Sequence, residues 1–242
     1  MTPPWASEWW KAEDEPSWYS VRCHFLFQDP TSAKDVNLYE ERITLWRSDS
    51  AEEAIALAED DADRYASGFE EFPVDYLWLA QSYYLADTLT SGAEVYSLCR
   101  DSDRTPAAYL AEFFDTGAEA QTPRKPGGNC NSTWYSVRCV LQSGKSYIEE
   151  LPFLYEERIT VWEAGSEREA CARAVTEAKE YAEAIEDDPD EYVGLAQCFP
   201  LSAPPEHGRV IFSLRRISKL EPEDYLNAHF DTGWERHREI GE

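Results

Sequence analysis

Two Asp-Thr-Gly triplets, Asp115-Thr116-Gly117 and Asp231-Thr232-Gly233, are the first residues to examine for a reaction. Paired aspartates can hydrolyse peptides when the two carboxyls lie about 3 Å apart and share one proton. Each triplet here ends a stretch of helical spacing, Tyr109-Leu110-Ala111-Glu112-Phe113-Phe114 and its counterpart, instead of a turn between strands. The expectation is a helix C-terminus, with Gly117 and Gly233 in the left-handed conformation. Acid clusters could hold a divalent cation, and Glu59-Asp60-Asp61-Ala62-Asp63 and Glu186-Asp187-Asp188-Pro189-Asp190-Glu191 are the densest. Neither fits a calcium loop, and solvated faces are expected. Six cysteines, at 23, 99, 130, 139, 171 and 198, form no Cys-x-x-Cys pair, and the four histidines lie far from metal-ligand spacing. Reduced thiols and no metal are expected. Phosphate-cradling glycine loops, nucleophile elbows and zinc-protease helices are absent from the sequence.

The chain repeats itself. Trp18-Tyr19-Ser20-Val21-Arg22-Cys23 returns as 134–139, Leu38 through Thr44 as 154–160, Leu79-Ala80-Gln81 as 195–197, and Phe114 through Gly117 as 230–233. Every pair is offset by 116 positions, and 41 of 100 positions are identical without a gap. This reads as a tandem duplication: an N-terminal extension (1–17), a first repeat domain (18–118), a Pro/Gly-rich linker (119–133), a second repeat domain (134–234) and a C-terminal tail (235–242). Each unit of about 100 residues is large enough to be expected to fold on its own core.

Within one unit the periods predict the elements that position any site. Residues 18–27 alternate, Tyr19, Val21, Cys23, Phe25 and Phe27 against Ser20, Arg22 and His24, which predicts a half-buried strand. A second strand is expected over 38–46, with Ile43 and Leu45 inward and Glu40, Arg42, Thr44 and Trp46 opposite. Ala54, Ala58, Ala62 and Tyr65 predict an amphipathic helix starting near the Ser50 cap, and Ala170, Ala174, Ala178 and Tyr181 repeat it. Strands follow at 76–86 and 93–100, then a helix opened by Thr105-Pro106. The fold class is α+β: two ββαββα units, each an antiparallel sheet with its helices on one face.

The strings Trp-Tyr-Ser-Val-Arg-Cys, Tyr-Glu-Glu-Arg-Ile-Thr-x-Trp and Phe-Asp-Thr-Gly resemble an uncharacterised bacterial family, domain of unknown function 4288, in both copies nearly end to end. The resemblance implies a bacterial, soluble α+β domain and carries no assigned catalytic residue or cofactor.

Composition excludes several classes. The chain of 242 residues is 43% hydrophobic, enough for a packed core, and no stretch approaches eighteen apolar residues. Forty-eight acids against 22 bases give a net charge of −26, which argues against binding nucleic acid through phosphates. The amino terminus shows no basic start followed by an apolar run, so a cytoplasmic address is expected.

No histidine occurs in both copies: His24 aligns with Val140, His207 with Ser91 and His229 with Phe113. The polar residues the copies do share are Arg22/Arg138, Glu40/Glu156, Arg42/Arg158, Gln81/Gln197 and Arg100/Arg216, with Trp46/Trp162 beside them. A cross-strand ion-pair ladder that holds register is one reading. A binding face is the other, with Arg22, Glu40 and Arg42 expected away from the helices between Trp18 and Trp46, or serving as the surface through which the two domains dock. The function expected is a non-catalytic acidic module that captures a basic protein, as an inhibitor or immunity-type protein does. The alternative is an enzyme or small-molecule binder using an Arg/Glu/Gln pocket on the sheet face or between the domains.

Overall fold

Ser50 opens the first long helix by accepting from the backbone N–H of Glu53 at 3.2 Å, while Glu53 accepts from the Asp49 N–H at 2.8 Å. This reciprocal cap satisfies two orphan donors, and Ser166 with Glu169 repeats it 116 residues on. The computed structural model describes residues 16–28, 36–86, 88–120, 133–146, 148–184 and 190–236. The expected extension up to residue 15, most of the linker, Cys130, the acids at 186–188 and the tail from 237 lie outside these.

In chain order the elements are β1 (Ser17–Phe27), β2 (Asn37–Ser48), α1 (Ala51–Ser67), β3 (Val74–Leu85), β4 (Glu94–Ser102), α2 (Pro106–Phe113), β5 (Glu119–Ala120), β6 (Trp134–Lys145), β7 (Phe153–Glu163), α3 (Glu167–Glu183), β8 (Glu191–Pro200), β9 (Val210–Ser218), α4 (Pro222–His229) and β10 (Glu235–Arg236). The fold is α+β, with four helices and two antiparallel sheets.

The sheets correct the expectation of two separate domains. Their strand orders are β3-β1-β2-β9-β5 and β10-β4-β7-β6-β8, so each half of the chain gives its fourth strand to the other half's sheet. Leu38 pairs with Ile217 and Glu40 with Arg215, while Cys99 of the first half pairs with Glu156 of the second. This is strand exchange within one chain: β4 and β9 stand at matching positions under the 116-residue offset, and each lies in the other half's sheet. Neither half owns a complete sheet.

Both faces of each sheet are covered. The odd-numbered residues of β1 (Val21, Cys23, Phe25) pack on Ala54, Ala58 and Ala62 of α1, and Val137 and Cys139 pack on α3 in the same way. The opposite faces meet in an inter-sheet core of Ile43, Leu45, Val95, Leu98, Ile159, Val161, Ile211, Phe212 and Leu214. The short helices differ from the expectation of one shared helical face. Tyr225 of α4 packs with Leu26 and Tyr39 on the side of the first sheet away from α1, and Tyr109 of α2 packs with Val140 and Tyr155 on the second. Each short helix has travelled with the exchanged strand before it. No helix among the described residues is long and apolar enough to cross a membrane.

Candidate functional site

Alternation places Arg22 on the inner face of β1 and Arg138 on the inner face of β6, so the two guanidinium groups enter the space between the sheets. Both are buried, with Glu41 and Glu157 between them. Arg138 Nη1 and Nη2 each donate to Glu41 Oε2 at 3.0 Å, and Arg138 Nη1 donates to Glu157 Oε1 at 2.8 Å. Arg22 Nη1 lies 3.3 Å from a carboxylate oxygen of both Glu41 and Glu157. Gln81 Oε1 accepts from Arg22 Nε and Nη2 at 2.8 and 2.5 Å. The guanidiniums also lie against rings, Arg22 over Tyr96 and Phe230, Arg138 over Phe114 and Phe212. Burial alone would raise the Glu41 carboxyl, but Arg138 and Arg22 outweigh it and hold the group down to about 2. Two buried cations facing two buried anions are neutral as a set.

Most of the other shared residues also bridge the halves. Gln81 Nε2 donates to the Phe230 carbonyl at 2.9 Å, and Gln197 Nε2 to that of Phe114 at 2.7 Å. Arg100 Nε donates to Glu235 at 2.7 Å and its Nη2 to the His229 carbonyl at 3.0 Å. Arg216 mirrors this, donating at 2.7 Å both to Glu119 and to the Phe113 carbonyl. Glu156 accepts from Ser97 Oγ at 2.6 Å, Glu40 accepts from Ser213 Oγ, and Arg158 pairs with Glu94. Burial, helped by the nearby Glu94 carboxylate, raises the Glu156 carboxyl above its ordinary value against the pull of the Ser97 hydrogen bond and Arg158.

The second strand is turned over relative to expectation. Antiparallel partners point to the same side, and Cys23 lies opposite Arg42 while Arg22 lies opposite Ile43. Glu40, Arg42 and Trp46 therefore face α1. Tyr65 donates to Glu40 at 2.7 Å, Arg42 lies 3.3 Å from Asp61 and 4.0 Å over the Tyr65 ring, and Trp46 Nε1 donates to Thr44 at 2.8 Å. Trp162 donates likewise to Thr160 at 2.8 Å. Both tryptophans are buried, so they are core residues and present no surface for capture. Polar residues mark this face because it meets the carboxylates and hydroxyls of a helix. The shared set as a whole is enclosed by partners from within the chain and lines no open face.

The triplets Asp115-Thr116-Gly117 and Asp231-Thr232-Gly233 follow α2 and α4, with Gly117 and Gly233 at φ of 79° and 80°. Asp115 and Asp231 are exposed, Thr116 Oγ1 bonds Glu119 at 2.7 Å and Thr232 Oγ1 bonds Glu235 at 2.8 Å. They tie down the short strands that follow. Among the described residues, no group of three or more His, Cys, Asp or Glu is placed to hold a metal ion. Cys23, Cys139 and Cys198 are buried, and burial pushes the Cys23 and Cys139 thiols up to about 12.

An open feature lies elsewhere. Between Tyr76 and Ala80, three residues of β3 oppose the single residue His24 of β1. The bulge puts Trp78 at φ 56° with 69% of its surface exposed. Beside it runs a groove of about 770 Å³, lined by Asp63, Ala66, Ser67 and Phe69 from the α1 end and Pro73 through Tyr76 and Trp78 from β3. Its charged lining residues are both aspartates, Asp63 and Asp75. A search for residues common to both copies passes over this place, because Gly194 (φ 100°) stands opposite Trp78 and Lys179 opposite Asp63. A bulky ring at a glycine position, beside a reversed charge, is the sequence signal that marks it.

No protein-family model matches the chain, and neither a curated protein nor a solved structure gives a significant match.

Proposed function

We propose that the chain is a non-catalytic, acidic protein-binding module acting on a basic partner, in the manner of an inhibitor or immunity-type protein in the cytoplasm. One observation carries the reading: the six arginines shared by the halves (Arg22, Arg42, Arg100, Arg138, Arg158, Arg216) are all spent on internal carboxylates. Exposed acids such as Glu52, Glu53, Asp60 and Asp63 on α1 and Glu167, Glu169, Glu180 and Glu183 on α3 then dominate the outward field. Such a field steers a basic protein toward the surface and raises its on-rate. A duplicated ββαββα unit, related to domain of unknown function 4288, is part of this proposal and supplies the framework without supplying a reaction.

The test is a native pull-down with the full chain, followed by kinetics on the captured protein. Raising salt from low to high slows association by about tenfold or more and changes dissociation far less. A partner whose association ignores salt, or a bound metabolite in place of a protein, overturns the reading.

A further inference from the structure

Rings elsewhere in the fold already carry a cation. Arg42 lies 4.0 Å over Tyr65, Arg158 3.9 Å over Tyr181 and Arg173 4.9 Å over Trp162. In the second half, Lys179 Nζ lies 5.7 Å from the Tyr192 ring centre. Under the 116-residue offset Tyr192 corresponds to Tyr76, and Lys179 to Asp63. The first half thus keeps the ring and replaces its own lysine by an acid. It also adds Trp78, whose ring centre is 5.0 Å from that of Tyr76, where the second half has Gly194. Among the described residues, no Lys or Arg head lies over Tyr76 or Trp78. The neighbouring cation, Arg64, is turned toward Asp61 at 3.7 Å.

We propose that the groove between α1 and β3 is the contact point for a lysine side chain of the basic partner, its ammonium seated beside the Tyr76 and Trp78 rings and the Asp63 carboxylate. This rests on the acidic-module reading and names where that module grips. The occupant's chemistry is the one the second half supplies to its own Tyr192. Cation–π attraction and the Asp63 carboxylate favour an ammonium, and an exposed, pre-placed indole contributes area without ordering cost. The positive φ of Trp78 is a backbone state in which Gly194 sits without strain, so the indole is held there against its own preference.

The probe is a capped hexapeptide of alternating Lys and Gly, titrated into the isotopically labelled full chain, with a norleucine-for-lysine twin as control. The lysine peptide shifts the Trp78 indole N–H saturably and the norleucine twin leaves it unmoved. Asp63→Lys, which fills the groove as Lys179 does, weakens binding by about tenfold or more. Asp60→Lys, with the same charge change on an exposed neighbour outside the groove, weakens it far less. Trp78→Gly keeps the residue the other half uses, stays folded, and weakens binding by about fivefold. A lysine peptide that shifts other resonances while Trp78 stays still, or an Asp63→Lys chain that binds as well as Asp60→Lys, overturns the groove. The acidic-module reading has its own arm: a captured partner with salt-steered association that binds Asp63→Lys undiminished sinks the groove alone, and salt-independent association sinks the module.

Discussion

Glu41 and Arg138 stand 97 residues apart and meet at 3.0 Å in the space between the two sheets, each buried. The contact joins halves that have already exchanged strands, and Glu157 with Arg22 closes the set at 3.3 Å. Removing one member leaves an unpaired buried charge, whereas removing all four leaves none. Glu41→Gln is expected to lose about 3–5 kcal/mol in denaturant unfolding, and Arg22, Glu41, Arg138 and Glu157 replaced together by apolar residues of similar volume lose far less. A single variant as stable as the parent would show that the set carries no net electrostatic work.

The exchange itself gives a second expectation. Each half cut in the linker region loses the strand that pairs with its β2 or β7, exposing an apolar edge. Either half alone is expected to be unfolded or to dimerise with a copy of itself, exchanging its own fourth strand and offering Arg22 to the Glu41 of the other copy. Co-expressed halves should form a 1:1 complex. Sedimentation of the separate and mixed halves checks this, and a folded monomer of either half would show that its own fourth strand closes its sheet without exchange.

Much of this fold was legible and its central fact was not, for one physical reason. Alternation located β1, and the Ala54-Ala58-Ala62 spacing with its Ser50 cap located α1, because those signals are local. Which β2 takes which fourth strand is a pairing question between near-identical sequences. Ser97, Leu98 and Arg100 of β4 match Ser213, Leu214 and Arg216 of β9, so these shared positions do not separate own from exchanged pairing. The face of β2 misled for another reason: its polar residues point to a helix that answers them with Tyr65 and Asp61, so polarity there marks a contact and not solvent. The shared polar residues were visible as a group, but their sharing reflects the two-fold repetition of one interface. The groove lies where the copies differ.

Acidification should destabilise the protein in a defined window. Burial, reinforced by Arg22, lowers His24 to about 3, and burial with Arg216 and Arg100 lowers His229 to about 4. Between those values and the unfolded value of about 6.5, the unfolded chain binds protons that the native chain refuses, so stability falls as pH falls. The slope is about 1.4 kcal/mol per pH unit for His24, with a smaller share from the less buried His229. Glu41, held down to about 2, adds the same sign below the unfolded carboxyl value. His24→Val with His229→Phe installs the residues found at Val140 and Phe113, and should flatten the melting temperature between about pH 6.5 and 4.5. An unchanged pH profile in that double variant would assign the acid sensitivity elsewhere.

Gly194 isolates the backbone term at the bulge. Its φ is 100°, and a Cβ built there meets nothing within 4 Å, so Gly194→Ala adds no clash and changes only conformational preference. A side chain in that region costs about 1–2 kcal/mol, and alanine also narrows the unfolded ensemble by about 0.4–1 kcal/mol, which partly offsets the loss. The expected net effect is a destabilisation of about 1 kcal/mol, read from the denaturant midpoint at unchanged slope. Trp78 also carries a positive φ, 56°, at the matching position of the first half, so Trp78→Gly should move stability the other way or leave it level, since the indole is mostly exposed and little burial is lost. If Trp78→Gly instead destabilised by as much as a core truncation, the ring would be holding the bulge by packing, and strain would not be the term that distinguishes the two halves.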